Sequence, residues 1–98
     1  MFYIEGACPI CGTGNRGFRL CSDKASVVVM CDECDATWLD AERVDASDVV
    51  YAAPPEYVLP GRTCSIVAPS SRWATRSEID VSGWGKLVSG EGTALDGG

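Results

Sequence analysis

Two C-x-x-C pairs, Cys8/Cys11 and Cys31/Cys34, stand 19 residues apart in a chain of 98 residues that contains no histidine. Each pair can grip one tetrahedral ion from a single tight turn, because its two sulfurs fall on the same side. Two such turns, brought together by a hairpin, complete a set of four thiolates. A soft S₄ set with bonds of about 2.3 Å suits Zn²⁺, with iron as the main competitor. Gly12 follows the first pair, where positive φ is favoured and N–H groups can point back at sulfur. Asp35 holds the matching position after the second pair, and Asp tolerates the left-handed region better than most residues.

Two other uses of the cysteines compete with a metal. Thiol redox chemistry wants one C-x-x-C at a helix N-terminus, whereas Gly12, Gly14 and Gly17 oppose a helix here. A disulfide framework needs an oxidising compartment. The start of the chain, MFYIEGACP, lacks the basic segment and long apolar run of a signal peptide, so a reducing cytoplasm is expected. The expected site is therefore one structural Zn²⁺ per chain on Cys8, Cys11, Cys31 and Cys34. Cys21 and Cys64 read as small buried apolar residues, the sharper alternative being a spare ligand or a reactive thiol.

A chain this short buries about 60–65% of its unfolded surface, so a metal staple is a reasonable expectation. The fold class expected is small, β-rich α+β: a zinc ribbon of three short antiparallel strands with a strand–helix extension. Residues 1–50 make the ribbon, with strands in GFRL (17–20), SVVVM (26–30) and ATWL (36–39) and a hairpin turn at CSDKA. DAERVDAS (40–47) allows a helical turn or two with Asp40 as N-cap. Residues 51–62 hold three prolines and form an extended or turning connection. Residues 63–88 form the extension, packed on or beside the ribbon: a strand at TCSIVA (63–68), then a helix from the capping box TRSE, with Thr75 as N-cap and Glu78 at N3, ending at Ser82 before Gly83. Trp38 reads as core behind the hairpin, and Trp73 and Trp84 as the core of the extension. The small polar stretch 89–98 reads as a disordered tail.

The charge is uneven. Between Asp32 and Asp48 seven acids face one base, Arg43, which equals the whole formal charge of −6. Four thiolates on one Zn²⁺ would make that stretch more negative still, so a polyanion is repelled there. Arg16, Arg19 and Lys24 cluster around the hairpin and are the residues that could meet phosphate. No apolar run approaches the roughly 20 residues that span a bilayer.

The elements Cys8, Pro9, Cys11 and Gly12, followed by Cys31, Cys34, Trp38, Leu39 and Asp40, form the combination CPICG … CDECDATWLD. It resembles the bacterial transcription-factor-IIB-type zinc ribbon family, whose members pair a C-P-x-C-G knuckle with a second C-x-x-C and a nearby W-L-D. The resemblance covers residues 8–40 and implies a three-stranded ribbon on one zinc. Asp35, Ala36 and Thr37 stand where that family often has glycines.

A closed Cys₄ site offers no open position for water or substrate, and histidine, the usual base at neutral pH, is missing. The expected function is non-enzymatic: a zinc-stapled protein-interaction module whose acidic face meets a basic protein. The alternatives are a nucleic-acid-binding or transcription-associated ribbon and, further off, a thiol-redox protein.

Overall fold

Val27, Val28, Val29 and Met30 are all buried, so the strand they form is covered on both faces and the molecule is built outward from it. The computed structural model describes residues 1–60, 64–67 and 69–92. Within them run β1 (Phe2–Ala7), β2 (Asn15–Leu20), β3 (Val27–Cys31), β4 (Thr37–Trp38), β5 (Arg72–Trp73), the helix α1 (Arg76–Val81), a 3₁₀ turn at Gly85–Leu87, and β6 (Gly90–Glu91). The strand expected at 63–68 does not form over its described residues 64–67, which hold only an isolated bridge from Ser65 to Val58; residues 61–63, 68 and 93–98 lie outside the described residues.

The strands form one antiparallel sheet in the order β4-β3-β2-β1-β6, with β5 also paired to β2. The β2–β3 hairpin runs in register from Arg16 opposite Cys31 to Leu20 opposite Val27. Its turn closes through Cys21 N–H to the Ser26 carbonyl at 2.9 Å, and the Asp23 carboxylate accepts from the Ala25 and Ser26 N–H groups. One edge of β2 is shared end to end: β1 pairs along Asn15–Gly17, and β5 pairs at Arg19 and Leu20.

Alternation along the strands sorts the apolar residues onto two faces. Phe18, Leu20, Val27, Val29 and Cys31 join Cys8, Ala36, Trp38, Ala41, Ala74 and Ile79 in one buried cluster. Val28 and Met30 join Cys21, Leu59, Cys64 and Ile66 in another. The extension therefore has no core of its own: Ile79 and Trp84 pack into the first cluster, while Cys64, Ile66 and Trp73 pack into the second. The two tryptophans expected together lie with opposite clusters: Trp73, in β5 of the sheet itself, packs on the second, while Ala74 beside it and Trp84 after the helix pack on the first.

Three local expectations turn out differently. β1 was missed: a strand at FYIEGA pairs with β2 on one side and β6 on the other, bulging between Ile4 and Ala7 where Gly6 takes φ +101°. Gly90 and Glu91, expected in the tail, pair with Tyr3 and Phe2. Residues 40–47 form no helix. Asp40 accepts from Glu42 N–H at 2.9 Å, and Asp45 accepts from Ser47 and Asp48 N–H groups at 3.1 and 3.0 Å. These short carboxylates offer the backbone closer partners than a helical ladder would. The capping box, by contrast, is present as read: Thr75 Oγ1 accepts from Glu78 N–H, and Glu78 Oε1 accepts from Thr75 N–H at 2.8 Å. The helix ends at Ser82, with Gly83 at φ +88° beyond it.

Candidate metal centre

Cys8 lies just past β1, and Cys31 is the last residue of β3, so strand pairing through β2 sets both at one end of the sheet. Each starts a tight turn. In the first, Gly12 N–H reaches the Cys8 carbonyl at 2.9 Å and Gly12 takes φ +78°. In the second, Cys31 N–H reaches the Ala36 carbonyl at 2.8 Å and Asp35 takes φ +63°. Both residues expected in the left-handed region adopt it. A reciprocal clamp joins the turns: Asn15 N–H donates to Asp32 Oδ1 at 2.9 Å, and Asp32 N–H donates to the Asn15 carbonyl at 3.0 Å.

The four sulfurs of Cys8, Cys11, Cys31 and Cys34 all lie within 4.8 Å of one another, a group that can hold a metal ion. Two separations cross between the turns, Cys8 to Cys34 and Cys11 to Cys31, each 3.7 Å. Metal–sulfur bonds of about 2.3 Å in a tetrahedron put sulfurs about 3.8 Å apart, so the cluster has room for one ion and little more. Backbone N–H groups aim at the sulfurs in a pseudo-twofold pattern: Ile10 to Cys8 and Glu33 to Cys31, each at 3.4 Å. Gly14 N–H donates to Cys11 at 3.4 Å.

Two of the sulfurs, those of Cys8 and Cys31, are buried; Cys34 is half-buried and Cys11 exposed. Without a cation their thiols differ sharply. N–H groups of Thr13 and Gly14 lower Cys11 to about 6, which favours its thiolate. Burial pushes Cys31 and Cys34 up, against the lowering effect of the backbone N–H groups aimed at them, and a nearby positive charge would bring them down. A cation there would displace protons, and its affinity would fall in acid.

Two residues of the site escaped sequence reasoning. A Cβ on Gly14 would overlap Cys31 Sγ and stand 3.1 Å from Asp32 Oδ1, so only glycine lets the first turn approach the second this closely. Its place three residues past Cys11 was the available signal. Asp32, counted above as surface charge, is 7% exposed and belongs to the clamp.

The remaining candidates are placed as follows. Cys21 and Cys64 are buried in the second apolar cluster, away from the four sulfurs. Trp38 is fully buried, with its indole N–H donated to the Asp45 carbonyl at 2.6 Å. The three bases near the hairpin are tied internally. Arg16 donates to the Val44 and Glu5 carbonyls at 2.9 and 2.6 Å, and Lys24 donates to the Ser70 carbonyl. Arg19 is buried, bonded to Ser71 Oγ at 3.0 Å and stacked 4.8 Å from the Trp73 ring centre. Of the seven acids, Glu33 and Asp35 are exposed beside the sulfurs, while Asp40 and Asp45 close turns and Asp48 faces Arg43 at 3.6 Å. Among the described residues no helix is long and apolar enough to cross a membrane.

No protein-family model matches the chain, and no solved structure matches it. An uncharacterized protein of Acanthamoeba polyphaga mimivirus, L48, is 30% identical to it over 86 residues, covering 83% of this chain and 72% of the viral protein.

Proposed function

We propose that this chain, which belongs to the same family as the uncharacterized viral protein L48, is a non-enzymatic, zinc-stapled protein-interaction module. The observation that carries this is the convergence of Cys8, Cys11, Cys31 and Cys34 within 4.8 Å. Zinc suits an all-thiolate tetrahedron, and four thiolates fill its coordination, leaving no position for a reacting water. One Zn²⁺ per chain then acts structurally, in a zinc-ribbon arrangement of the bacterial transcription-factor-IIB type carried by CPICG and CDECDATWLD. A reduced cluster of this kind belongs in a reducing compartment such as the cytoplasm.

The interaction surface is the tip around the cluster. Ile10 stands 39% exposed on the first turn, with Glu33 and Asp35 exposed on the second. An apolar contact bordered by carboxylates suits a basic protein surface. Nucleic acid suits it less well, since Arg16 and Arg19 are held by internal partners.

Metal content measured with thiol titration on the native protein tests the zinc. One zinc per chain, with Cys8, Cys11, Cys31 and Cys34 protected until a chelator is added, is the expected result. No metal and freely titrating thiols would overturn it. Capture of basic proteins should weaken in the Glu33→Gln/Asp35→Asn variant and with added salt; undiminished capture would remove the acidic face from the proposal.

A further inference from the structure

Far from the sulfurs, the chain holds out a short loop that neither apolar cluster absorbs. Ala53 and Val58 exchange hydrogen bonds of 2.9 and 3.2 Å, closing a small hairpin whose tip is Pro54-Pro55-Glu56-Tyr57. All four tip residues are exposed, and so is Tyr51, at 53%. The base is fixed: Leu59 is 1% exposed in the second cluster, the Tyr57 carbonyl accepts from Ile66 N–H at 3.2 Å, and the Glu56 carbonyl accepts from Ser65 Oγ. Ser65 in turn meets Ser22, in the turn at the end of the β2–β3 hairpin opposite Cys31, so this loop and the sulfur cluster occupy opposite ends of the molecule.

Two further features set the tip apart from an ordinary loop. Tyr57 takes φ +55°, a region that bulky side chains rarely occupy and that persists only where the surroundings hold it. Its neighbours hold its carbonyl, yet the residue remains 43% exposed, so the strain brings little burial in the free protein. The composition is also specific. Adjacent prolines are stiff, have no N–H to satisfy, and present flat apolar rings; aromatic-lined grooves of WW and SH3 domains take such rings. A tyrosine two residues on adds a large ring with a polar end, the side chain most useful at an interface for its size.

We propose that Pro54-Pro55-Glu56-Tyr57 is a docking site for a protein domain with an aromatic-lined, proline-binding groove of the WW class. The Pro-Pro-x-Tyr run supplies two proline rings and one tyrosine ring to adjoining pockets. The tip must extend to lie in such a groove, which opens the Ala53–Val58 pair and frees Tyr57 from positive φ, while Leu59 keeps the loop attached to the sheet. This site is independent of the acidic tip: it uses apolar rings, and its binding should be nearly insensitive to salt, unlike capture by Glu33 and Asp35.

The test titrates the purified, full-length, metal-loaded chain against an isolated WW domain of the type that binds Pro-Pro-x-Tyr peptides, followed by calorimetry. Saturable one-to-one binding is expected, weakened about 30-fold in Tyr57→Ala and in Pro55→Ala, with Glu56→Gln and Tyr51→Ala within about threefold of the native chain. The substituted side chains are exposed, and an unchanged circular dichroism spectrum with unchanged metal content shows that each variant is folded. Absence of saturable binding by the native chain overturns the proposal. So does undiminished binding by folded Tyr57→Ala, or equal binding to an SH3 domain used in place of the WW domain, since neither would read the tyrosine.

Discussion

At its Cys31 end the β2–β3 hairpin is closed by four sulfurs, and at its Leu20 end by apolar side chains on both faces. The sulfur end is built from turns: Ile10, Cys11, Gly12, Thr13, Glu33 and Asp35 are all exposed, and little apolar area holds the two knuckles together. The other end sets Phe18, Leu20 and Val27 against Ile79 and Ala74, and Val28 against Leu59 and Ile66. On the zinc reading proposed above, one end depends on deprotonated thiolates and a cation, and the other on apolar area removed from water. Trp38 and Cys31 belong to both, because the first cluster runs from the knuckles to the helix. Loss of the metal should therefore spread one way along the sheet, from the knuckles inward.

Chelation gives the largest effect. Structural zinc contributes about 10–16 kcal/mol in zinc peptides, against about 5–15 kcal/mol for the stability of an ordinary domain. With a chelator present, amide protection should vanish across residues 8–14 and 31–38 and persist longest in β2 beside β5; uniform loss everywhere would show that the two ends are one cooperative unit. Trp38→Ala comes next. It empties a fully buried site and should cost about 3–5 kcal/mol in urea unfolding of the metal-loaded protein. A value below about 1 kcal/mol would separate the knuckles from the first cluster.

Gly14→Ala sharpens the comparison from the sulfur side. The added methyl group meets Cys31 Sγ, so metal affinity in a competition titration should fall about 10–100-fold while protection at the helix end stays as it was. Thr75→Ala acts at the other end, removing one half of the capping box for about 1 kcal/mol with no change in metal affinity.

The smallest effect is a pH dependence. The Arg72 guanidinium, 2.6 Å away, holds the Glu78 carboxyl down at about 2. A depressed carboxylate stabilises the fold fully above its ordinary value and loses that contribution as pH falls toward about 2. Because Arg72 and Glu78 are 40% and 27% exposed, water screens the pair and keeps its contribution small. The melting temperatures of native and Glu78→Gln protein should differ near pH 6 and converge as pH approaches 2. A constant gap would mean that Glu78 acts through the neutral hydrogen bonds of the cap alone.

What was legible in the sequence was local. C-x-x-C spacing holds two sulfurs on one turn whatever surrounds it, so Cys8, Cys11, Cys31 and Cys34 could be named as a set without coordinates. Thr75 and Glu78 sit at the fixed separation a capping box requires, and the valine run with its polar turn marked the hairpin. The helix expected from Asp40 failed for an equally local reason, since Asp40 and Asp45 form tighter turns with their own neighbours.

Tertiary structure decided everything that depends on partners distant in the chain. FYIEGA has no clear alternation, and it becomes β1 only because Gly17 and Arg16 on one side and Gly90 and Glu91 on the other satisfy its backbone. Arg19 looked like a surface cation but is buried by the arrival of Ser71, Ile66 and Trp73. Asp32 looked like surface charge but clamps Asn15, and Gly14 matters because Cys31 lies against it. By itself, then, the sequence determined the two C-x-x-C pairs, the hairpin and the helix start, each set by spacing within a few residues of chain. The close approach of the knuckles, the two-sided core and the internal use of the arginines were decided only when distant segments packed, because burial and partnership belong to the assembled sheet.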